Sequence, residues 1–375
     1  MATLEHIRFV PHRCEVIDGK VVYSPACNAR VIPALPQIFW ADCKPWREAN
    51  LWAVERANRK GTAIETVESN LRALTDYATF LESRDLQWFT FPSRKNERCL
   101  VLYRGALIEA RDEGKLSPST VSQRMRHVIQ FYRWVQVRGL FSPASPLWRD
   151  KIAYIKYFDA VGFERTLMRL TTDLSIPNRA RPGERLEDGL LPVSASDRDA
   201  ILAFAHEQAS PEMFRILSLG FFTGMRLGTI CDLKVQTIEQ AVPDPAAPGL
   251  YRLAVGPGAS PAVHTKFGVT GQVWLPQPLL GDLLAYAGSA RRLLREAKAA
   301  PENRSLLFLT RFGNGYGRRG SDQSTAVNVE MSALRRSGVA TGLAALRRFH
   351  VHQTRCTFAT ELARLAAGIA ESGGK

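Results

Sequence analysis

Residues 223–233 read Thr223-Gly224-Met225-Arg226-Leu227-Gly228-Thr229-Ile230-Cys231-Asp232-Leu233, and residues 352–360 read His352-Gln353-Thr354-Arg355-Cys356-Thr357-Phe358-Ala359-Thr360. The first stretch follows an apolar run over Pro211–Phe222 that predicts a helix. Gly224 then falls in a turn, and Arg226 stands at the start of a second, short helix. If residues 350–366 are helical, His352 and Arg355 lie one turn apart on one face, and Phe358 and Leu362 continue toward the core. A histidine and an arginine on one face, with Arg226 at a helix start, can converge on one phosphate. Arginine suits that task because its planar fork donates two hydrogen bonds to phosphate oxygens and stays charged at any relevant pH. Between the two segments, Tyr251–Val255 and Gln272–Leu275 alternate like half-buried strands of a long hairpin. That places Lys266, in His264-Thr265-Lys266-Phe267-Gly268, where it can reach a leaving oxygen and protonate it. Singly, each residue has an ordinary reading: Arg226 is one of 39 arginines, helix histidines are commonly structural, and hairpin lysines are commonly solvated. The combination carries the chemistry. His264 and His350 lack motif support and read as structural or exposed.

Outward from these segments, Ser194 or Ser196 can cap a helix running to about Glu207, and Leu306–Thr310 is a short apolar piece before a glycine-rich basic loop over 311–320. Residues 59–150 read as a small helical bundle. Ile64, Val67, Leu71, Leu74, Ala78 and Leu81 recur at three- and four-residue steps, and a second helix over about 100–113 stops near Gly114. A third has Ser117 as N-cap, Pro118 in its first position and Gly139 at its end. Its buried stripe is Val121, Met125, Val128, Tyr132 and Val135; the other face shows Gln123, Arg124, Arg126, Gln130 and Arg133. From that helix Thr120, Gln123 and Arg124 can reach a DNA groove, with a solvated polar face as the plain alternative. Residues 1–58 read as an N-terminal extension whose Trp40, Trp46 and Trp52 pack against the next domain. Residues 151–190 read as a linker, polar from about 170 onward with two prolines and two glycines. Residues 191–375 form the second domain, and the whole is mainly α with a small β-sheet.

Lys plus Arg is 50 and Asp plus Glu 36, a net charge of +14 over 375 residues. That balance makes a polyanion the leading partner class, although 39 arginines to 11 lysines also fits a GC-rich coding sequence. With 45% hydrophobic and 23% charged residues, the chain can build packed cores and is not broadly disordered. No apolar run approaches the ~18 residues of a membrane span, and the N-terminus lacks the apolar region of a secretory leader. Six cysteines without a C-x-x-C pair point to neither zinc nor a disulfide framework. Phosphate-loop, dinucleotide-binding and zincin motifs are missing from the sequence. A cytoplasmic, nucleoid-associated protein with reduced thiols fits best.

Taken together, the chain resembles the tyrosine recombinases of the phage-integrase family. Thr223–Leu233 is similar to the family's T-G-x-R…L segment, Thr265-Lys266 before Trp274-Leu275-Pro276 to its hairpin lysine, and His352–Thr360 to its H-x-x-R-x-T-F-A-T. Residues 60–375 are covered, with the bundle matching the family's core-binding domain. The resemblance implies a helical, SAM-like core-binding domain followed by an α+β tyrosine-recombinase catalytic domain, the two clamping double-stranded DNA. It implies Arg226 and Arg355 on the scissile phosphate, Lys266 as general acid, and His352 as acid/base or phosphate ligand. The family joins DNA to a tyrosine hydroxyl through a 3′-phosphotyrosyl link. This conserves the phosphodiester's energy, so no nucleotide cofactor or metal is expected. Other recombinase protomers on DNA are the further expected partners.

Three departures stand out. Thr229 stands where the family often has an acid, and Cys356 where a His is common. The family's nucleophilic tyrosine lies well downstream of its second arginine; here 20 residues follow Arg355, ending AAGIAESGGK, and the last tyrosine is Tyr316. The catalytic domain therefore reads as C-terminally incomplete, with no candidate nucleophile, through truncation, degeneracy or a tyrosine supplied in trans. Without that tail a monomer in solution is expected. Two functions follow: a site-specific integrase or recombinase that cleaves and rejoins DNA, or a catalytically dead relative that occupies or regulates recombination sites.

Overall fold

The computed structural model describes residues 1–26, 31–59, 61–158, 163–178, 190–317 and 324–372. The chain divides into two compact units, Met1–Ala180 and Arg181–Lys375.

In the first unit, β1 (Thr3–Phe9) pairs antiparallel with β4 (Ile32–Phe39), with the hairpin β2 (His12–Ile17) and β3 (Lys20–Pro25) between them. Four helices follow: α1 (Arg47–Asn58), α2 (Ile64–Ser83), α3 (Cys99–Asp112) and α4 (Pro118–Val137). The α2 stripe is as the periodicity predicts, with Val67, Leu71, Leu74, Ala78 and Leu81 all fully buried. For α4 the capping logic holds: Ser117 Oγ accepts from the Thr120 amide at 3.2 Å, Pro118 leads the helix, and Gly139 leaves it at φ +66°. From residues 1–58, Ile32, Leu35, Ile38, Trp46, Ala49 and Trp52 are part of this core, while β2 and β3 are exposed. Trp46 and Trp52 are buried and meet Phe131 of α4 at ring-centroid distances of 5.2 and 5.8 Å. Asn50 clamps β4 to α1, accepting from the Ile38 amide at 2.7 Å and donating to its carbonyl at 3.0 Å. Because that layer covers α4 from a second side, His127, Ile129, Phe131 and Trp134 are buried as well. The polar face of α4 is therefore narrower than its sequence indicates.

The stretch 151–190 is not simply a linker. Nine-residue strands β5 (Asp150–Phe158) and β6 (Glu164–Thr172) form an antiparallel ribbon in register from Asp150↔Thr172 to Phe158↔Glu164. Residues 179–189, the Pro- and Gly-containing part of the expected linker, lie outside the described residues.

The second unit is built on α6 (Pro211–Thr223), preceded by α5 (Ala195–Gln208) and followed by the short helices α7 (Leu227–Cys231) and α8 (Val235–Glu239). Ser194 and Ser210 cap α5 and α6. A three-stranded antiparallel sheet holds β7 (Val242–Pro243), β8 (Leu250–Val255) and β9 (Gly271–Pro276) in that order. Helices α9 (Gln277–Ala287), α10 (Ala290–Lys298), α11 (Thr325–Ala340) and α12 (His352–Ser372) complete it. Met213, Ile216, Leu217, Leu219 and Phe221 of α6 are all buried, so α6 is the centre of this core. Leu306–Leu309 is buried too, held by isolated bridges from Leu306 to Lys234 and from Leu309 to Gly315. Among the described residues no helix is long and apolar enough to cross a membrane.

Glu212, with no exposed surface, anchors α6 to α9 and α10. It accepts from Tyr286 Oη and Arg291 Nε, both at 2.8 Å, and from Arg295 Nη1 at 2.9 Å. Burial opposes its charge, but the hydrogen bonds from Arg291 and Tyr286 and the charge of Arg295 outweigh it and hold the carboxyl below its ordinary value. A carboxylate depressed by folding stabilises the native state fully above its unfolded pKa, and that stability is lost as pH falls through the folded value. The urea midpoint of this unit is expected to decline below about pH 4.5. Glu212→Gln is expected to flatten that decline and to cost on the order of 3 kcal/mol at neutral pH, because it leaves buried arginine charge uncompensated. An unchanged acid limb in Glu212→Gln would assign the decline elsewhere.

Candidate active site

Helix α6 ends where Gly224 turns the chain at φ +64°, its amide bonded to the Gly220 carbonyl at 3.1 Å. The turn makes Arg226 the residue that opens α7. Thr223 closes the turn from inside: its hydroxyl donates to the Leu219 carbonyl at 2.5 Å and accepts from the Met225 amide at 3.3 Å. Helix α12 runs alongside in the same direction. A Cβ on Gly220 would stand 2.3 Å from Thr354 Oγ1, and one on Gly224 would stand 2.4 Å from Phe358 Cδ1. The two glycines are thus what lets α12 lie this close. Across the gap, Arg355 Nη1 donates to the Gly224 carbonyl at 2.6 Å, so the two sequence segments meet directly.

Around this contact lies a cavity of about 230 Å³ lined by Met225, Leu227, Asn328, Arg335, His350, His352 and Arg355, among others. Arg226 stands between two lining residues, although its own side chain is not one of them. His352 and Arg355 share the cavity-facing side of α12, as their spacing predicts. Gln353 organises the start of α12, accepting from the His350 amide at 2.8 Å and donating to the Leu191 carbonyl at 2.9 Å. Arg335 and His350 had no local signal, because α11 and the loop before α12 deliver them only through the tertiary fold. The imidazole of His350 is pushed below its ordinary pKa by burial and by the charge of Arg335. Arg335 is half-buried, donates a long 3.4 Å bond to Ser332, and meets no carboxylate within 4 Å among the described residues.

Lys266 is not brought to the cavity lining. It lies on the long excursion between β8 and β9, exposed, with its ammonium 5.6 Å from the centre of the Phe267 ring. Sequence reading missed the anchor of that excursion. Asp232 Oδ2 accepts from the His264 amide at 2.6 Å while Oδ1 holds Lys234 at 2.6 Å. Its signal was its position inside the 223–233 segment.

In the first unit, Gln123 is exposed, and Thr120 bonds to Ser117 at 2.8 Å. Arg124 is held by Asp76 at 2.6 Å, and Asp76 also accepts from Tyr103 at 2.9 Å. Leu362 does not continue toward the core: it is 55% exposed, and Leu365 66%. Helix α6 ends at Thr223, beside Phe358, so α12 runs past the end of the helix it packs on. Cys356 is buried, and so is Tyr316, whose hydroxyl donates to Glu330 at 2.6 Å. In the glycine-rich loop, residues 318–320 lie outside the described residues.

No protein-family model matches the chain, and no curated protein matches it. Among solved structures it is similar to a variant of the Tn1549 transposon integrase in complex with a circular intermediate DNA. The TM-score is 0.50 at 12% sequence identity, covering 85% of this chain and 86% of that one. A second structure of that integrase with circular intermediate DNA gives a TM-score of 0.48 at 13% identity, covering 85% and 86%. The first likeness shows the fold: mainly helical with small antiparallel sheets, and an integrase-like α+β second unit.

Proposed function

We propose that this protein binds double-stranded DNA and works on it as a tyrosine-recombinase-type strand transferase. The observation that carries the reading is the meeting of the two segments: Arg355 bonded to the Gly224 turn beside Arg226, with His352 lining the same cavity. The shared fold with an integrase solved on DNA supports it. In this reading Arg226 and Arg355 hold the scissile phosphate. A tyrosine hydroxyl attacks phosphorus and releases its proton to water, the bond to the 5′ oxygen breaks, and a 3′-phosphotyrosyl link forms. Lys266 gives the leaving oxygen its proton, and His352 assists at the phosphate. Arginine charge balances the transition state. Thr120 and Gln123 contact a groove from α4, Arg124 does so once released from Asp76, and further protomers assemble on the DNA.

A second reading, occupancy of DNA without cleavage, is favoured by one observation: among the described residues, those lining the cavity include no tyrosine. Incubation with nicked duplexes tiled across the DNA neighbouring the gene separates the two. A covalent adduct that disappears in Arg355→Gln supports strand transfer; binding without adduct leaves the second reading; no binding to any duplex at low salt overturns both.

Arg335 is expected to contact phosphate in either reading. Arg335→Gln should reduce the slope of log affinity against log salt by about one, the release of roughly 0.9 counterions per phosphate contact. Titrations by fluorescence anisotropy at several salt concentrations check this, and an unchanged slope would remove Arg335 from the interface.

A further inference from the structure

The β5–β6 ribbon has no place in the function proposed above, yet its register sorts its side chains sharply. Directly paired residues share a face, and faces alternate along each strand. One face therefore carries Lys151, Ala153, Ile155 and Tyr157 with their partners Thr171, Arg169, Leu167 and Arg165. Among the described residues of the two strands this face holds three cations and no carboxylate. Among the described residues of the two strands, the carboxylates Asp150 and Glu164 fall on the opposite face, where each meets a cation: Asp150 with Arg133 at 2.6 Å and Glu164 with Lys156 at 2.7 Å. Asp173, at the ribbon's base, is held by Lys95 at 2.8 Å and also feels the charge of Lys151. Lys151 and Arg169 are exposed and meet no carboxylate within 4 Å among the described residues. Nor does the unit's core cover this face: Ile155 is 41% exposed, Tyr157 49% and Leu167 54%.

We infer that this cationic face is a second DNA-binding element, laid against the phosphates of a duplex groove. The inference rests on the DNA reading above and adds a contact surface that the Arg226–Arg355 site does not contain. Two physical arguments carry it. An isolated two-stranded ribbon exposed on both faces is marginal in water and gains from a partner that covers it. Phosphates complement the exposed cations Lys151 and Arg169, which no carboxylate approaches within 4 Å among the described residues, and the major groove of B-DNA, about 12 Å wide, admits a two-stranded ribbon. The other face, with Ile152, Tyr154, Met168 and Leu170, would suit a second copy of the chain instead, and the experiment distinguishes that.

The test compares the full chain with the variant K151Q/R165Q/R169Q on a duplex of about 30 base pairs over a range of salt. The variant is expected to lower the salt slope by about two to three, at roughly 0.9 per phosphate lost, and to weaken binding at least tenfold at moderate salt, with an unchanged circular dichroism spectrum. The charge-conserving variant K151R/R165K/R169K is expected to bind with the wild-type salt slope. If the glutamine triple variant keeps wild-type affinity and slope while Arg355→Gln weakens binding, the ribbon inference fails and the DNA reading stands. If the wild-type chain binds no duplex, both fail together. If I152S/M168S turns a sedimenting dimer into a monomer while the glutamine triple variant binds DNA normally, the ribbon is a protein contact and the inference is overturned.

Discussion

Gly220→Ala is expected to destabilise the unit Arg181–Lys375 by about 2–3 kcal/mol, whereas Gly281→Ala leaves it unchanged or more stable by up to about 1 kcal/mol. Both glycines are helical, so propensity alone favours alanine at each. The difference is what the added methyl meets. At Gly281 nothing lies within 4 Å. At Gly220 the new Cβ would stand 2.3 Å from Thr354 Oγ1, 3.0 Å from its Cβ and 3.3 Å from its Cγ2. Thr354 cannot swing away cheaply: it is β-branched, buried, and its hydroxyl is bonded to the Val351 carbonyl at 2.7 Å. Helix α12 must then lift from α6, moving Arg355 away from the Gly224 carbonyl. Urea midpoints measure the loss, and Gly220→Ala combined with Thr354→Ala should recover part of it by exchanging volume across the contact. A Gly220→Ala protein as stable as wild type would mean that α12 does not lie on α6 as described, and the joined site would go with it.

The elements that sequence reveals here are those whose causes are local. Helices α2 and α4 follow from residues three and four apart, and α4 also from Ser117 and Gly139 at its ends; the same holds for Ser194 and Gly224 around α5 and α6. His352 and Arg355 share a face because helical spacing alone puts them there. What stayed hidden depends on distant partners. The ribbon β5–β6 carries apolar and charged residues on both faces, so its alternation shows no buried side, and only the register with residues 164–172 separates its cations from its acids. Arg335 and His350 join the cavity from residues far from the Arg226 turn. Leu362 keeps a helical step from Phe358, but sequence does not show that α6 has already ended. Lys266 lies between β8 and β9, where its sequence context predicts a hairpin, while the path of its loop is set by Asp232 through a bond to His264.

Arg355 is where the largest functional effect is expected, and lysine and glutamine there should fail differently. Arg355→Lys keeps the charge but replaces a planar fork with a point donor. One ammonium cannot serve a phosphate oxygen and also reproduce the 2.6 Å bond to the Gly224 carbonyl from the same place. Hydrogen bonds to charged groups contribute about 1.5–3 kcal/mol, so duplex affinity is expected to fall on the order of tenfold to a hundredfold. The salt slope should stay put because the counterion count is unchanged. Arg355→Gln loses both charge and fork: affinity should fall further, and the slope by about one. If a tyrosine reaches the site and strands are cut, either change should lower the cleavage rate by about 10²–10³, the scale of removing a donor to the charge that develops at the reacting centre. A purely structural role for Arg355 would weaken binding equally in both variants and leave both slopes alone. Divergent slopes are therefore the measurement that ties this guanidinium to a phosphate rather than to the turn it also holds.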